Sequence, residues 1–302
     1  MNDVDDNKQG EMPDASDDQA LHDGQAWTTV GDLGNKLPVA VGSVDFAFKP
    51  QNLQLALERG RRLDHKLRQR PADFMAHHLG MSLATLQGRS MDGLDPSEAA
   101  LRVRSLPWTS VMYLIIRHWM DRNGRDTLTQ DDVRCPNPSC GKMQDAVLHL
   151  SGMRVRSWGV LQDLPQLDVE LLDGLPFPKA DTVAAVVTVE PAPWNALCDL
   201  GSGQLQSEGE MTSAVLSAAI VGVDTLAGKR VNVTANALGA LTGRDCDALD
   251  MEHALLCGGP VMALGVPCKR CQRDIWVPVP WTSLGFTEAP GTTPRKRTLR
   301  RR

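Results

Sequence analysis

Leucines and other apolar residues recur at helical spacing through much of the first half of the chain. Between Asn52 and Arg70 they predict a charged surface helix, and after an interrupting proline Ala72–Gln87 predicts a second one. A third helix is expected to begin near Ser97. Pro107 suits the first turn of a fourth helix, because the missing N–H of proline has no partner in that position anyway. Residues 50–124 are therefore predicted to be mainly helical.

The fourth helix and the segment before the helices have more specific patterns. Leu37–Phe48 alternates weakly between apolar and polar residues, which predicts a strand or an extended arm. The fourth helix places large apolar side chains on one face, which indicates core or partner surface: Trp108, Val111, Met112, Ile115 and Trp119.

The second half of the chain alternates between strand and helix patterns. Thr182–Val189 is β-branched and predicts a strand, and Arg230–Val233 predicts a shorter one. Ala192–Leu200 and Glu210–Gly222 predict helices, and Leu241–Cys257 is the clearest helix of this half.

Capping residues define the Leu241–Cys257 helix at both ends. Thr242 is a candidate N-cap with Asp245 three residues on, and the helix should stop at Gly258-Gly259-Pro260. Its buried face is expected to contain Cys246, Leu249, His253 and Leu256.

Two short cysteine pairs carry the strongest chemical signal. Cys135 and Cys140 bracket Pro-Asn-Pro-Ser, and Cys268 and Cys271 bracket Lys-Arg. Each pair has the spacing of one metal knuckle, and four thiolates at about 2.3 Å form the usual closed Zn²⁺ site. An apolar strand pattern follows each pair, at Val147–Leu150 and at Ile275–Val279, which is the order in which zinc ribbons are assembled. Prolines make the second run an edge strand. We therefore expect one structural zinc ion per chain.

The cysteine spacing is compatible with other uses as well. A lone C-x₂-C is compatible with redox chemistry, and two pairs are compatible with disulfides or with unpaired structural thiols. The 127 residues between Cys140 and Cys268 exceed the spacing of ordinary fingers. A shared ion would then fasten the two ends of a long insertion, and chelation should loosen the ribbon and that insertion. The remaining cysteines lie in apolar helical patterns, and His149 is a candidate spare ligand.

Charge is strongly unequal between the two ends of the chain. Residues 1–26 hold eight acids and one lysine, a net of −7, and residues 287–302 hold six bases and one acid, a net of +5. The acidic end has few apolar residues and is predicted to be disordered. The basic end can contact an acidic partner or nucleic acid. No stretch suggests membrane insertion or a signal peptide, and the cysteine usage points to a reducing compartment.

These patterns predict an α+β fold with a helical N-terminal half and a zinc-ribbon-like four-cysteine knuckle pair that encloses an α+β insertion. The predicted segments are a disordered acidic segment (1–36), an extended arm with a mainly helical region (37–134), a zinc ribbon (135–286) with its insertion (141–267), and a disordered basic tail (287–302).

Enzymatic motifs are not found. Gly222–Arg230 has the wrong glycine spacing for a phosphate loop and lacks its Ser/Thr, and Asp121–Asp126 has the wrong residues for a calcium loop. The histidines form no metalloprotease pattern, and no cysteine or serine lies in a catalytic signature. The chain is therefore predicted not to be an enzyme and to have no small-molecule substrate.

The order of motifs resembles the family of phage T4-like baseplate proteins of contractile-tailed phages and related injection systems. The resemblance is carried by Leu37–Val39, Val44–Pro50, Met112–Trp119, Cys135–Cys140, Leu241–Asp245, Gly258–Pro260, Cys268–Cys271, Val277–Trp281 and Phe286. It covers roughly residues 37–286. The C-x₄-C spacing of the first knuckle and the basic tail depart from the family pattern.

This resemblance implies a non-enzymatic component of the baseplate or hub, or a factor that assembles it. Its zinc ligands carry over to Cys135, Cys140, Cys268 and Cys271, and its partners would be other baseplate or hub proteins. The protein would occupy the cytoplasm of the producing bacterium or be incorporated in a tail or injection particle. The rival hypothesis is a zinc-ribbon nucleic-acid-binding protein that uses the basic tail. The mildly acidic remainder of the chain and the scarcity of Tyr and Phe make nucleic acid the less favoured partner.

Overall fold

Helices and strands are mixed throughout the computed structural model, which describes residues 25–50, 69–177, 182–225, 238–281 and 284. The predicted helix Asn52–Arg70 falls almost entirely outside these ranges. The predicted strand Arg230–Val233 and the basic tail lie outside them as well.

The helices of the described residues are α1 (Val30–Leu33), α2 (Pro71–Ser82), α3 (Pro96–Arg104), α4 (Trp108–Asn123), α5 (Asn195–Cys198), α6 (Glu208–Ala219) and α7 (Gly243–Cys257). The strands are β1 (Ala26–Thr29), β2 (Val39–Val41), β3 (Phe46–Phe48), β4 (Leu83–Leu86), β5 (Arg89–Ser90), β6 (Thr127–Arg134), β7 (Met143–His149), β8 (Arg154–Ser157), β9 (Gly159–Leu161), β10 (Leu167–Phe177), β11 (Thr182–Val189), β12 (Ile220–Thr225), β13 (Gly259–Pro260), β14 (Ala263–Pro267) and β15 (Asp274–Pro278).

The mixed α+β class is confirmed, but the helical N-terminal half is wrong. Five strands precede or interrupt the first three long helices, and β6 follows them. Strand β1 and helix α1 also lie inside residues 1–36, the segment predicted to be disordered. Residues 25–36 are held in place by β1, which pairs with β8 far along the chain.

The predicted helix Ala72–Gln87 stops early because its last residues form a β-hairpin. The Ser82 hydroxyl donates to the His78 carbonyl at the end of α2, and β4 then pairs with β3 and β5. Gln87 and Gly88 both have positive φ, 52° and 70°, as a two-residue hairpin turn requires. Leu83 and Leu86 are both buried in the hairpin, and their spacing of three residues also fits one face of a helix, so it does not distinguish strand from helix.

Helix α4 has the position and the buried face that the sequence predicts. Pro107 is its N-cap, and Gly124 ends it in the left-handed conformation at φ 60°. This helix end lies within Asp121–Asp126, the segment whose residues do not fit a calcium loop. Trp108 on the predicted face is partly buried. The other four residues of that face are at most 3% exposed: Val111, Met112, Ile115 and Trp119.

Among the helix predictions of the second half, the one for Leu241–Cys257 is nearest: α7 begins two residues later, at Gly243, and ends at Cys257 as predicted. The predicted helix Ala192–Leu200 shrinks to the single turn α5, and that at Glu210–Gly222 ends at Ala219, where the β-branched run of β12 begins. Strand β11 has the predicted bounds Thr182–Val189.

Buried side chains form two clusters. The larger one joins helices α2–α4 to the four strands β6, β7, β14 and β15, and it also includes buried residues of α5 and α6 from the insertion. The smaller one belongs to the insertion and lies between the sheet β10–β11–β12 and helices α6 and α7. The ribbon strands therefore share a core with the helices that precede them, and the insertion contributes both to that core and to the smaller one.

The insertion is also attached to the first part of the chain by strand pairing. Strand β8 lies between β1 and β13 in an antiparallel sheet, and β9 runs parallel to β2. Strands of the insertion are therefore joined to the first part of the chain by hydrogen bonds that do not involve the cysteines.

Helix α7 is connected to the bulge of β10 through one carboxylate. Thr242 caps the helix by accepting from the Asp245 N–H at 3.3 Å, as predicted. The buried Asp245 carboxylate accepts backbone N–H groups of Leu172, Asp173 and Gly174 at 2.8, 3.1 and 3.0 Å. Of the predicted buried face, Leu249, His253 and Leu256 are buried and Cys246 is partly exposed.

Candidate metal centre

Two β-hairpins present the two cysteine pairs. Strands β6 and β7 are antiparallel, and Cys135 and Cys140 lie in the loop that joins them. Strands β14 and β15 are antiparallel too, and Cys268 and Cys271 lie in their loop. The sequence predicted the strand after each knuckle but not the strand before it.

The two loops have the same local construction. The N–H of Cys135 donates to the Lys142 carbonyl at 2.9 Å, and that of Cys268 donates to the Arg273 carbonyl at 2.8 Å. The residue after each second cysteine has positive φ, 52° at Gly141 and 61° at Gln272. Each loop thus turns its cysteine side chains towards one point, as a metal knuckle does.

The four sulfur atoms fit a tetrahedral zinc ion. The Cys135 and Cys271 sulfurs are 3.7 Å apart, as are those of Cys140 and Cys268, and all four lie within 4.8 Å of one another. Zn–S bonds of about 2.3 Å in a tetrahedron place the sulfurs about 3.8 Å apart. The predicted ligands are therefore brought together, and a single ion can bind all four.

The distances also bear on the alternatives that the sequence left open. A disulfide needs about 2.05 Å between sulfurs, and all seven cysteines are free thiols. Each 3.7 Å pair joins one knuckle to the other, which suits a shared ion. His149 is not in the cluster that the described residues form, and its imidazole lies 4.0 Å from the Asp126 carboxylate.

The site is buried on one side and open on the other. Cys135 and Cys268 are 2% and 0% exposed, while Cys271 is exposed. Burial raises the pKa of Cys135, whereas backbone N–H groups of Cys271 and Arg270 lower the pKa of Cys268. Zinc binding displaces the thiol protons, so its affinity must fall as the pH falls.

Gln144 connects the two hairpins beneath the sulfurs, and sequence reasoning missed it. Its side-chain oxygen accepts the Lys269 N–H at 2.7 Å, and its nitrogen donates to the Pro267 carbonyl at 3.2 Å. The amide is 7% exposed, in line with buried Ala146 and Leu148 on the inward face of β7. The sequence signal that could have identified Gln144 is a polar residue on the otherwise apolar face of this strand.

We expect Gln144→Leu to weaken zinc binding by about tenfold or more, because hydrogen bonds from residues that are not themselves ligands hold the two knuckles in position for the metal. Competition with a zinc-chelating dye measures this affinity. Gln166→Leu is the matched control, since Gln166 is exposed and distant along the chain from both knuckles. Equal affinity in wild type and Gln144→Leu would contradict the role given to the amide.

Helix α7 contains a cysteine close to a histidine, the combination found in activated nucleophiles. The Cys257 sulfur is 3.1 Å from Nε2 of His253, which also accepts the Ala192 N–H at 3.3 Å. Burial raises the pKa of Cys257 to about 12 and lowers that of His253 to about 4. Both groups are therefore neutral near pH 7, so the pair lacks the thiolate of an activated nucleophile.

His253 should make stability fall with acid. Its folded pKa of about 4 lies below the unfolded value of 6.5, so the unfolded chain binds the proton first as the pH falls. Between pH 7.5 and pH 5 this costs about 2 kcal/mol of unfolding free energy. Urea unfolding at the two pH values should show that loss reduced in His253→Gln. Identical pH dependence of the two proteins would contradict this.

Comparisons with known proteins returned no match from family models, from curated proteins or from solved structures. Among the described residues, no helix is both long enough and apolar enough to cross a membrane.

Proposed function

We propose that this chain is a structural or assembly component of a contractile phage-tail-like baseplate, and that its zinc ion is structural. The observation that carries the zinc assignment is the set of four cysteine sulfurs within 4.8 Å of one another. Four thiolates complete the tetrahedral coordination of zinc and leave no position for a substrate. This donor set favours a non-enzymatic role.

The baseplate assignment rests on the order of motifs along the chain. The arm residues form β2 and β3, the helical motif lies in α4, and the Leu241–Asp245 motif opens α7. The partners proposed are other baseplate or hub proteins, met in the cytoplasm of the producing bacterium or in the finished particle.

Deleting the gene in the producing bacterium should yield particles that lack a functional baseplate, while sheath and tube proteins are still made. Reintroducing the Cys246→Ser variant should restore active particles, because Cys246 is not a ligand. Reintroducing Cys271→Ser should restore few, because it removes one ligand. Normal particles from the deletion strain would refute the proposal.

The zinc-ribbon nucleic-acid-binding hypothesis remains a second candidate because of the surface around the knuckles. Trp276 on β15 is 45% exposed. Four basic residues near it in sequence or in the knuckle loops are exposed as well: Lys142, Lys269, Arg270 and Arg273. DNA binding should then weaken steeply with added salt. Measuring that slope for the full chain and for a chain without residues 287–302 separates the ribbon from the tail. Binding that is undetectable even at low salt excludes this candidate.

A further inference from the structure

A cavity of about 390 Å³ lies where the β1–β8–β13 sheet meets the end of α7 and the start of α4. Ligand cavities in proteins span about 300–1,000 Å³ and combine apolar walls with a few polar groups. The walls here include two tryptophans and two arginines: Trp27, Trp108, Leu255, Met262, Arg154 and Arg156.

The two arginines are fixed by the sheet. They are two residues apart on β8 and so project from the same face, and Arg156 pairs directly with Trp27 on β1. Their guanidinium carbons lie 4.2 Å (Arg154) and 4.6 Å (Arg156) from the centre of the Trp27 ring. Stacking on an aromatic ring occupies the face of a guanidinium and leaves its in-plane N–H groups directed outward.

Arg156 already has a structural role. Its side chain is 91% buried, at 9% exposure, and its Nη1 donates to the Leu255 carbonyl at 3.1 Å. The carbonyls at this end of α7 also accept from Gln25 and Trp158. The end of the helix is therefore capped by side chains from the β1–β8 sheet and the residues beside it.

Arg154 differs from Arg156 in this respect. Within the described part of the chain, its guanidinium makes no hydrogen bond to a carbonyl like that of Arg156 and no salt bridge to a carboxylate. A planar guanidinium binds a carboxylate through two parallel hydrogen bonds. The first residues of α4, Trp108 and Thr109, line the same cavity.

We propose that this cavity binds a carboxylate carried on an aromatic or branched apolar group, with the carboxylate on Arg154 and the apolar group against Trp108 and Met262. Either a free aromatic acid or the C-terminal residue of a polypeptide has this chemistry. The inference does not depend on the baseplate assignment.

The test uses the full chain and the probe N-acetyl-L-phenylalanine, with its neutral amide as the matched probe. Binding is followed by NMR of the tryptophan indole N–H signals. We expect the acid to bind at least about tenfold more tightly than the amide, a difference of about 1.4 kcal/mol. The signals of Trp27 and Trp108 should shift, and those of Trp194 and Trp276 should not, because neither lines the cavity.

Arg154→Gln should reduce the preference for the acid to less than about twofold, whereas Arg154→Lys should keep part of it. Arg89→Gln is the control for net charge, because Arg89 is exposed on β5. The Trp194 and Trp276 signals report whether each variant is folded.

A parallel titration with 1-naphthoate distinguishes the two sources of the carboxylate, since a site for a polypeptide end prefers the phenylalanine derivative and a site for free aromatic acids prefers naphthoate. Equal binding of acid and amide, shifts confined to other tryptophans, or binding of neither acid would overturn the proposal.

Discussion

The Cys271→Ser variant should purify with far less than one zinc ion per chain, and its ribbon should open. Cys271 is the exposed ligand, so its replacement removes a metal bond without leaving a cavity in the core. Structural zinc contributes an apparent binding free energy of about 10–16 kcal/mol in peptides at pH 7. A large part of that stabilisation of the two hairpins should be lost with one ligand.

Hydrogen exchange measures where this loss falls. The amides of β6, β7, β14 and β15 should exchange much faster in Cys271→Ser, or in wild type treated with a strong chelator. From the sequence we expected the insertion to loosen with the ribbon. The smaller core and the pairing of β8 and β9 with β1 and β2 predict instead that strands β8–β12 and helix α7, which lie between the two hairpins, keep their protection.

Cys246→Ser is the matched control, since it makes the same chemical change at a partly buried cysteine of α7 that is not a ligand. It should retain one zinc ion and wild-type exchange in both hairpins. If the hairpins of Cys271→Ser remain as protected as those of wild type, the ion does not hold the ribbon together.

Asp245→Asn should strongly destabilise the attachment of α7 to the sheet of the insertion. The β10–β11 pairing shifts between Glu170 and Leu175, and the extra residues direct their N–H groups at the buried carboxylate of Asp245. An amide has one oxygen and brings two N–H donors of its own, so at least one backbone N–H loses its acceptor. Hydrogen bonds to charged groups contribute about 1.5–3 kcal/mol, and a buried donor without a partner costs about 1–3 kcal/mol.

Urea unfolding should therefore show a loss of about 3 kcal/mol for Asp245→Asn. Asp247→Asn lies on the same helix and is exposed, so it should change stability by less than about 0.5 kcal/mol. Similar stability in both variants would mean that the carboxylate does not hold α7 to the sheet. The bulge also requires glycine at position 174, because a Cβ there would lie 2.4 Å from a Val183 side-chain carbon.

The helix caps and the cysteine pairs could be predicted because each depends only on residues that are close in sequence. Thr242, Asp245 and Gly258 delimit α7 because capping groups lie within a few residues of the helix ends they satisfy. The four cysteines were identified because a knuckle needs two thiols within one turn of backbone. These features do not depend on which elements pack together.

The misses occur where tertiary pairing decides between conformations. Strand β4 has a spacing that fits a helix, and its pairing with β3 selects the strand. Strand β6 contains a bulge in which Asp131 and Asp132 oppose a single residue of β7, which disrupts the alternation that predicts a strand. Gln144 acquires its role only when the two hairpins, more than a hundred residues apart in sequence, come together.

X-ray absorption at the zinc edge, combined with a metal count, tests the central claim that one zinc ion joins the two hairpins. Protein purified at neutral pH without added metal should contain about one zinc ion per chain, with four sulfur neighbours at about 2.3 Å and none of the nitrogen or oxygen neighbours of an open site. A well-folded protein that contains no zinc, or zinc bound by fewer than four sulfurs in the wild type, would contradict the account.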